Sequence, residues 1–268
     1  MLLKIADFPR SNFYYHLKHL NEPQKHVRER DEIRLICIEN KGRYGYRRVT
    51  LELHRRGFLT NHKLVMKLMK HEGLTCKLRE KKYRSYRGQL GKIAPNLLKR
   101  NFKAEKPNLK WTTDITQFKL FGKTLFFSPI MDLFNDEIVS YCLSSSQNFK
   151  QVTEMLDIAF KKIPDNSQLI LHSDQGWQYQ MKPYRKLLND KGIQQSMSRK
   201  GNCYDNCVIE NFFGILKTEF FHNQKFSSIE NFIQELSEYV QYYNNQRIKV
   251  KLKGLSPVEF RTQSLVYK

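Results

Sequence analysis

Apolar positions in the first 76 residues recur at three- and four-residue spacing, interrupted by short polar stretches. Phe13, Tyr14, Leu17 and Leu20 form one stripe within residues 1–20. Ile33, Ile36 and either Cys37 or Leu35 form a second within 29–39. Leu51 and Leu53 mark a third helix, 49–56, closed by Gly57. Leu64, Val65, Leu68 and Met69 mark a fourth, 62–72, capped by Asn61 and followed by Gly73. The spacing predicts a small bundle of short helices, with KGRYGYRR (41–48) as a turn between the second and third.

From Leu109 the period changes. LKWTTDITQF (109–118), TLFFSPIMDLF (124–134) and EIVSYCLSSS (137–146) read as three strands of a meander, joined at FGK and at Asn135-Asp136. Pro129 within the second strand points to an edge or a bulge. An amphipathic helix (149–163), the apolar run LILHSD (169–174), a helix (183–191) and the short strand IQQSMS (193–198) follow. A further helix opens at Asp205, a residue type suited to capping. This order predicts an α/β fold, a mixed five-stranded sheet with helices on its faces. A last helix, 229–246, has Phe232, Ile233, Leu236, Tyr239, Val240 and Tyr243 as its stripe and is expected to pack on the core.

Charge divides the chain differently. The net charge is +21 with 13% aromatic residues, which predicts a folded protein with an anionic polymer as partner. Residues 1–108 carry 27 Lys/Arg against 10 Asp/Glu, whereas 109–268 carry 20 against 16. The stretch 77–106 holds 11 basic and 2 acidic residues with Tyr83, Tyr86 and Phe102 interleaved. It reads as a basic linker lying along phosphates, with Lys81, Lys82 and Arg84 as contacts. The helical part, with Arg47 and Arg48 foremost, is compatible with a helix-turn-helix-like module on double-stranded DNA. The expected domains are therefore 1–76 (helical module), 77–106 (linker), 107–223 (sheet-containing core) and 224–268 (C-terminal helix and tail). The sequence has no run of 18 apolar residues and no secretion signal at its start, so no membrane association is expected. Five scattered cysteines fit a reducing, cytoplasmic setting, and Cys203 and Cys207 lack histidines at zinc-finger spacing.

Three acids stand out against this pattern. Asp114 interrupts a strand, where an acid is a poor fit. Asp174 ends a buried strand, the usual place for ligand sites in α/β sheets. Glu210 lies on the helix of SRKGNCYDNCVIENFFGILKTE (198–219), and Lys217, seven residues on, leaves the same helical face. Gly214, between them, offers a gap for a partner. Buried acids need compensation, and a divalent cation would supply it. Asp132 falls opposite about Lys110 in the expected hairpin, away from Asp114, and reads as structural.

WTTDIT, HSDQGWQY and the 198–219 string resemble the Asp-Asp-Glu catalytic core of retroviral-integrase-type transposases, including 35 residues between Asp174 and Glu210. More narrowly, RYGYRRVTLEL with NHKLVMKLMKHEGL, NLLKRNFKAEKPNLKW and YYNNQRIKVKLKGLSPVEF resemble the OrfB protein of the insertion-sequence-three family across nearly the whole chain. Lys249 stands where many members have histidine; no catalytic role is expected for it. The resemblance implies an RNase H-like fold and two Mg²⁺ or Mn²⁺ ions, with Asp114 bridging both and Asp174 and Glu210 each completing one site. It implies strand cleavage and strand transfer at the element's ends, with Lys217 on a phosphate near the cut and Arg199 and Lys200 along the backbone. Partners implied are element and target DNA, further copies of the chain, and the first-frame protein OrfA. An inert DNA-binding regulator, or a nuclease on the same fold, is the alternative.

Overall fold

The computed structural model describes residues 9–19, 25–74, 76 and 92–266. The chain forms two compact units, Met1–Cys76 and Lys77–Lys268.

The first unit contains α1 (Arg10–His19), α2 (Val27–Glu39), α3 (Tyr46–Arg55) and α4 (His62–His71). Ile33, Ile36, Cys37, Val49, Leu53, Val65, Leu68 and Met69 are buried together. Leu35 is 45% exposed, so Cys37 takes the inward position on α2. Phe13, Tyr14 and Leu17 on α1 are exposed, so the first predicted stripe covers no core among the described residues. Gly45 is extended and α3 starts at Tyr46, three residues into the expected turn's end. The Asn61 side chain accepts the N–H of Lys63 at 2.9 Å and starts α4 as the sequence predicts. Part of the basic charge is spent internally. Arg56 reaches Glu32 at 2.7 Å and Glu52 at 3.2 Å, as well as Glu39, and Glu72 binds Arg30 and Arg34.

The second unit is built on a mixed sheet. Its strands are β1 (Lys110–Thr113), β2 (Thr116–Leu120), β3 (Lys123–Asp132), β4 (Ile138–Ser144), β5 (Ile170–Ser173) and β6 (Gln194–Met197). β1 and β2 are the first predicted strand, split at Asp114–Ile115. Both pair with β3 in one register, Thr113 opposite Ile130 and Thr116 opposite Phe127. The split lies opposite Ser128 and Pro129, and a proline has no N–H to give to the ladder. Pro129 is thus not on an edge: β3 is flanked by β4 on its other side, with a register shift beside it at Ile130/Met131. The predicted five strands become six for this reason. β1, β5 and β6 run parallel.

Alternate residues of β3 face opposite sides of the sheet. Ile130 joins Trp111, Val139 and Leu171 under α5 (Phe149–Phe160), α6 (Trp177–Gln180) and α7 (Lys182–Asp190). Met131 joins Phe118, Leu125 and Phe127 under α8 (Cys207–Leu216) and α9 (Ile229–Asn245). Asn148 caps α5 by accepting the Gln151 N–H at 2.9 Å, and Ser228 caps α9 by accepting that of Asn231 at 3.1 Å. α10 (Pro257–Val266) closes the chain.

Of the expected linker, Lys81, Lys82 and Arg84 lie outside the described residues. From Lys92 on it belongs to the second unit. The Leu97 N–H donates to Ser196 Oγ at 2.9 Å, Met197 N–H donates to the Pro95 carbonyl at 3.3 Å, and Leu98 is buried. Apolar side chains and hydrogen bonds to β6 hold this stretch against the protein, while Lys92, Lys99, Arg100, Lys103 and Lys106 are exposed. Among the described residues no helix is long and apolar enough to cross a membrane.

Candidate active site

Parallel pairing sets two of the acids side by side. Thr112 pairs with His172 across β1 and β5. Two residues further along both strands come Asp114 and Asp174, at neighbouring carboxyl ends. Paired strands lie about 5 Å apart. Asp114 turns its Oδ1 to the N–H of Ile115 at 2.7 Å, and Asp174 turns its own to the N–H of Gly176 at 2.8 Å. A side chain on Gly176 would meet Asp174 Oδ1 at 2.9 Å and Gln178 Nε2 at 2.6 Å, so any larger residue there would displace the ends of both side chains.

Glu210 arrives from the other side of the sheet. The start of α8 is fastened to β1 where Thr112 Oγ1 donates to Asn206 Oδ1 at 3.1 Å. Glu210 lies exposed on the first turn of α8. Burial, then the neighbouring charges of Asp174 and Glu210, push the Asp114 carboxyl well above the usual range; the Ile115 N–H and the Lys217 ammonium act against this. Burial likewise raises Asp174, opposed by the Gly176 N–H. Burial is the larger cause for both carboxyls, and the charges of Asp174 and Glu210 reach Asp114 besides. Under them, the phenol of buried Tyr179 is driven up by burial and by Asp114 and Asp174, and stays neutral.

The helix differs from its prediction at both ends. Asp205 does not cap it. A 3₁₀ turn, Cys203–Asn206, precedes α8, and Asn206 makes no side-chain cap bond. The Asp205 carboxylate instead accepts from Arg199 Nε at 2.8 Å and Nη2 at 2.9 Å, from Arg100 Nε at 3.1 Å and from Asn96 Nδ2 at 2.9 Å. Arg199 holds it far below the usual carboxylate range. At the other end α8 stops at Leu216, and Lys217–Phe221 forms a π-helical turn. The Lys217 Nζ lies 5.9 Å from the Phe118 ring centre. Gly214 is buried, so it is not the open gap the sequence suggested.

Other expected contacts have definite settings. Arg199 is exposed but bonded to Asp205, and Lys200 is exposed beside it. Arg47 is exposed and lies over its neighbour Tyr46, while Arg48 donates to the Arg43 carbonyl at 3.2 Å. Asp132 accepts the N–H groups of Asn108 and Phe134 at 2.8 and 2.9 Å and pairs with Trp111, a structural part as expected. Sequence reasoning missed His172. Its buried ring bonds Ser196 Oγ at 2.8 Å and the Asp205 carbonyl at 2.9 Å, tying the 199–206 loop to β5. Its place two residues before Asp174 was the available signal.

The acids are hard oxygen donors with one ammonium among them, a set suited to Mg²⁺ or Mn²⁺. Among the described residues no group of three His, Cys, Asp or Glu is set to hold an ion by itself.

A sheet of this order, with acids at the ends of β1 and β5 and on α8, is that of an integrase catalytic core. Integrase core domain families match residues 104–203 and 210–265, and an HTH-like domain family matches 25–82. The InsK protein of insertion sequence element IS150 from Escherichia coli (strain K12) is 52% identical over 98% of this chain and 93% of its own. A transposase-like protein of Haemophilus influenzae is 54% identical over 76% of this chain and 94% of its own. The transposase for insertion sequence element IS904 of Lactococcus lactis is 37% identical over 89% of this chain and 96% of its own. Among solved structures, a simian T-cell lymphotropic virus intasome with PP2A regulatory subunit B56 gamma has a TM-score of 0.47 at 18% identity, covering 81% of this chain and 70% of that one. The chain belongs to the insertion-sequence-three family of transposases.

Proposed function

We propose that this transposase cuts and joins DNA at the ends of its own element, with Asp114, Asp174 and Glu210 holding two divalent ions, Mg²⁺ or Mn²⁺. Asp114, Asp174 and Glu210 would be the residues to hold the ions. The observation that carries this reading is the β1–β5 register, which sets Asp114 beside Asp174 within electrostatic reach of Glu210. Bound there, the ions supply Lewis-acid activation and charge neutralisation for in-line attack on a phosphodiester.

The chain's own residues do the rest. Asp114 and Asp174 give up the protons that burial favours on them as the ions bind. Water attacks first, breaking a P–O bond and leaving a 3′-hydroxyl. That hydroxyl then attacks the target strand, and the displaced oxygen takes up a proton. No protein side chain becomes joined to DNA, so no serine or tyrosine nucleophile is required. Lys217 pairs with a phosphate beside the cut, and Lys200 and Arg199 follow the backbone. The helical module, through Arg47 and Arg48, grips duplex DNA, as do Lys81, Lys82 and Arg84. The working form is an assembly of several copies holding two element ends, with OrfA as a further partner, in the cytoplasm.

The test uses labelled duplex carrying the inverted repeat that flanks this reading frame, incubated with Mg²⁺ and then with EDTA. Cleavage in Mg²⁺, lost in EDTA and in Asp114→Asn while binding persists, is expected. Full cleavage by Asp114→Asn in Mg²⁺ would remove the metal-holding role. Binding without cleavage by the wild type would favour an inert regulator.

A further inference from the structure

Lys217 is the first residue of the π turn that follows α8. Such turns are rare, cluster at functional sites and need neighbours to hold them. One neighbour is unusually firm. Glu219, the third residue of the turn, accepts from Arg247 Nε at 2.7 Å and Nη2 at 2.6 Å, and from the Tyr239 hydroxyl at 3.1 Å. Arg247 is 1% exposed and Glu219 8%. It comes from the segment just after α9, 28 residues away in sequence. A two-pronged guanidinium–carboxylate pair fixes angle as well as distance, and burial shields it from solvent screening. Phe220 and Phe221, the next two residues, both pack on Phe232, with ring centres 5.5 Å and 6.2 Å from it.

Lys217 keeps right-handed helical φ and ψ at the end of α8, so with Glu219 fixed in the core the winding of the turn sets the rotation of the α8 end that carries Lys217. Relaxation from π to α winding offsets the turn by one residue, about 100° of rotation. The far end of the turn is also closed, where the His222 N–H donates to the Lys217 carbonyl at 2.8 Å.

We infer that Arg247 and Glu219 are positioning residues for strand cleavage: their buried ion pair keeps the Lys217–Phe221 turn in π form and so aims the Lys217 ammonium at the acid site. This rests on the reading that Lys217 pairs with a phosphate beside the cut. Arg247 itself touches no DNA and no reacting atom.

The experiment compares Arg247→Lys, which keeps the charge but loses the fork, with the paired change Glu219→Gln/Arg247→Met, which removes both charges and preserves volume. Arg247→Ala would strand a buried carboxylate and unfold the region, so it is not informative. Each change is made in the full chain, alone and on top of Lys217→Ala. The readouts are cleavage rate at saturating repeat duplex, the duplex concentration for half-maximal rate, and amide exchange across 217–222. A displaced group of this kind costs on the order of 100-fold in rate. The expected result is that loss in both clamp variants, with the half-maximal concentration unchanged, faster exchange confined to the turn, and no further loss when Lys217 is already alanine. Losses that multiply with that of Lys217→Ala, or a turn whose exchange stays slow, would overturn the positioning role. If Lys217→Ala cleaves at the wild-type rate, the reading of Lys217 fails instead, and the inference falls with it for a different and recognisable reason.

Discussion

Neutralising Asp114 should make the metal-free protein more stable while abolishing its chemistry. Asp114 and Asp174 each lie one residue past the ends of the paired strands β1 and β5. Two charges about 5 Å apart repel by about 1 kcal/mol at the dielectric of water and about 3 kcal/mol at that of a protein boundary. Asp114→Asn removes this repulsion and can still turn its side-chain oxygen to the Ile115 N–H. For a unit of this size each kcal/mol moves the melting temperature by roughly 2–4 °C, so a rise of roughly 2–12 °C is expected in EDTA. The sign follows from the raised acid. The native protein binds the Asp114 proton more tightly than the unfolded chain does, so metal-free stability falls as pH rises through the raised value. The gap between variant and wild type therefore opens at neutral pH and closes in acid. Mg²⁺ should raise the wild-type melting temperature and leave the variant's unchanged. The assay is thermal unfolding in EDTA and in Mg²⁺ at several pH values, with cleavage run in parallel. A variant less stable than wild type in EDTA, together with a wild type indifferent to Mg²⁺, would refute the idea that these acids repel one another while awaiting a cation.

Other outcomes follow from the same geometry. Lys217→Ala should weaken end-specific cleavage more than nonspecific DNA binding; gel-shift and cleavage assays showing equal losses would count against its place by the cut. Asp205→Asn should cost about 1–2 kcal/mol in urea unfolding at pH 7, a figure kept small by its half-exposed arginine partners. Because that carboxyl is held far below the usual range, the contribution persists until strongly acidic pH and is lost only as pH falls through the depressed value. Lys249, buried with Asp136 at 2.6 Å and the Tyr243 hydroxyl at 2.7 Å, has its ammonium lowered by burial from 10.5 to about 8. Between those values the unfolded chain holds the extra proton, so this group makes stability rise with pH. Urea midpoints at pH 7 and pH 9.5 should show that rise in the wild type and a smaller one in Lys249→Met.

Much of this was legible in the residues. Asp114 was conspicuous as an acid inside a run of Trp, Thr and Ile, and Asp174 as the end of LILHS. Their meeting was not, because it depends on the register of β1 against β5, which no local pattern encodes. The hairpin register was missed by one place: Asp132 faces Trp111, not Lys110. The reason is a two-residue turn at Phe121-Gly122, both at positive φ, in which phenylalanine occupies a position that usually signals itself with asparagine or glycine. Asp205 read as a cap because capping is what a lone aspartate before a helix commonly does; only tertiary contact with Arg100 and Asn96 gives it another task. The Glu219–Arg247 pair left no trace, since Glu219 in KTEFF resembles any solvated helix acid. Propensity likewise foretold a continuous helix through Lys217, where the chain instead takes a wider turn whose Glu219, Phe220 and Phe221 are tied to distant residues.

The stretch 92–98 along β6 bears on how this protein can be dissected. β6 is the outermost strand on its side of the sheet, and a bare outermost strand invites other chains to add to it. Here the Pro95 carbonyl accepts the Met197 N–H on that rim, and the Leu97 amide is tied to the Ser196 side chain beside it. A fragment begun at residue 107, where composition alone would place the boundary, would shed this cover and self-associate. One begun at Lys92 retains it.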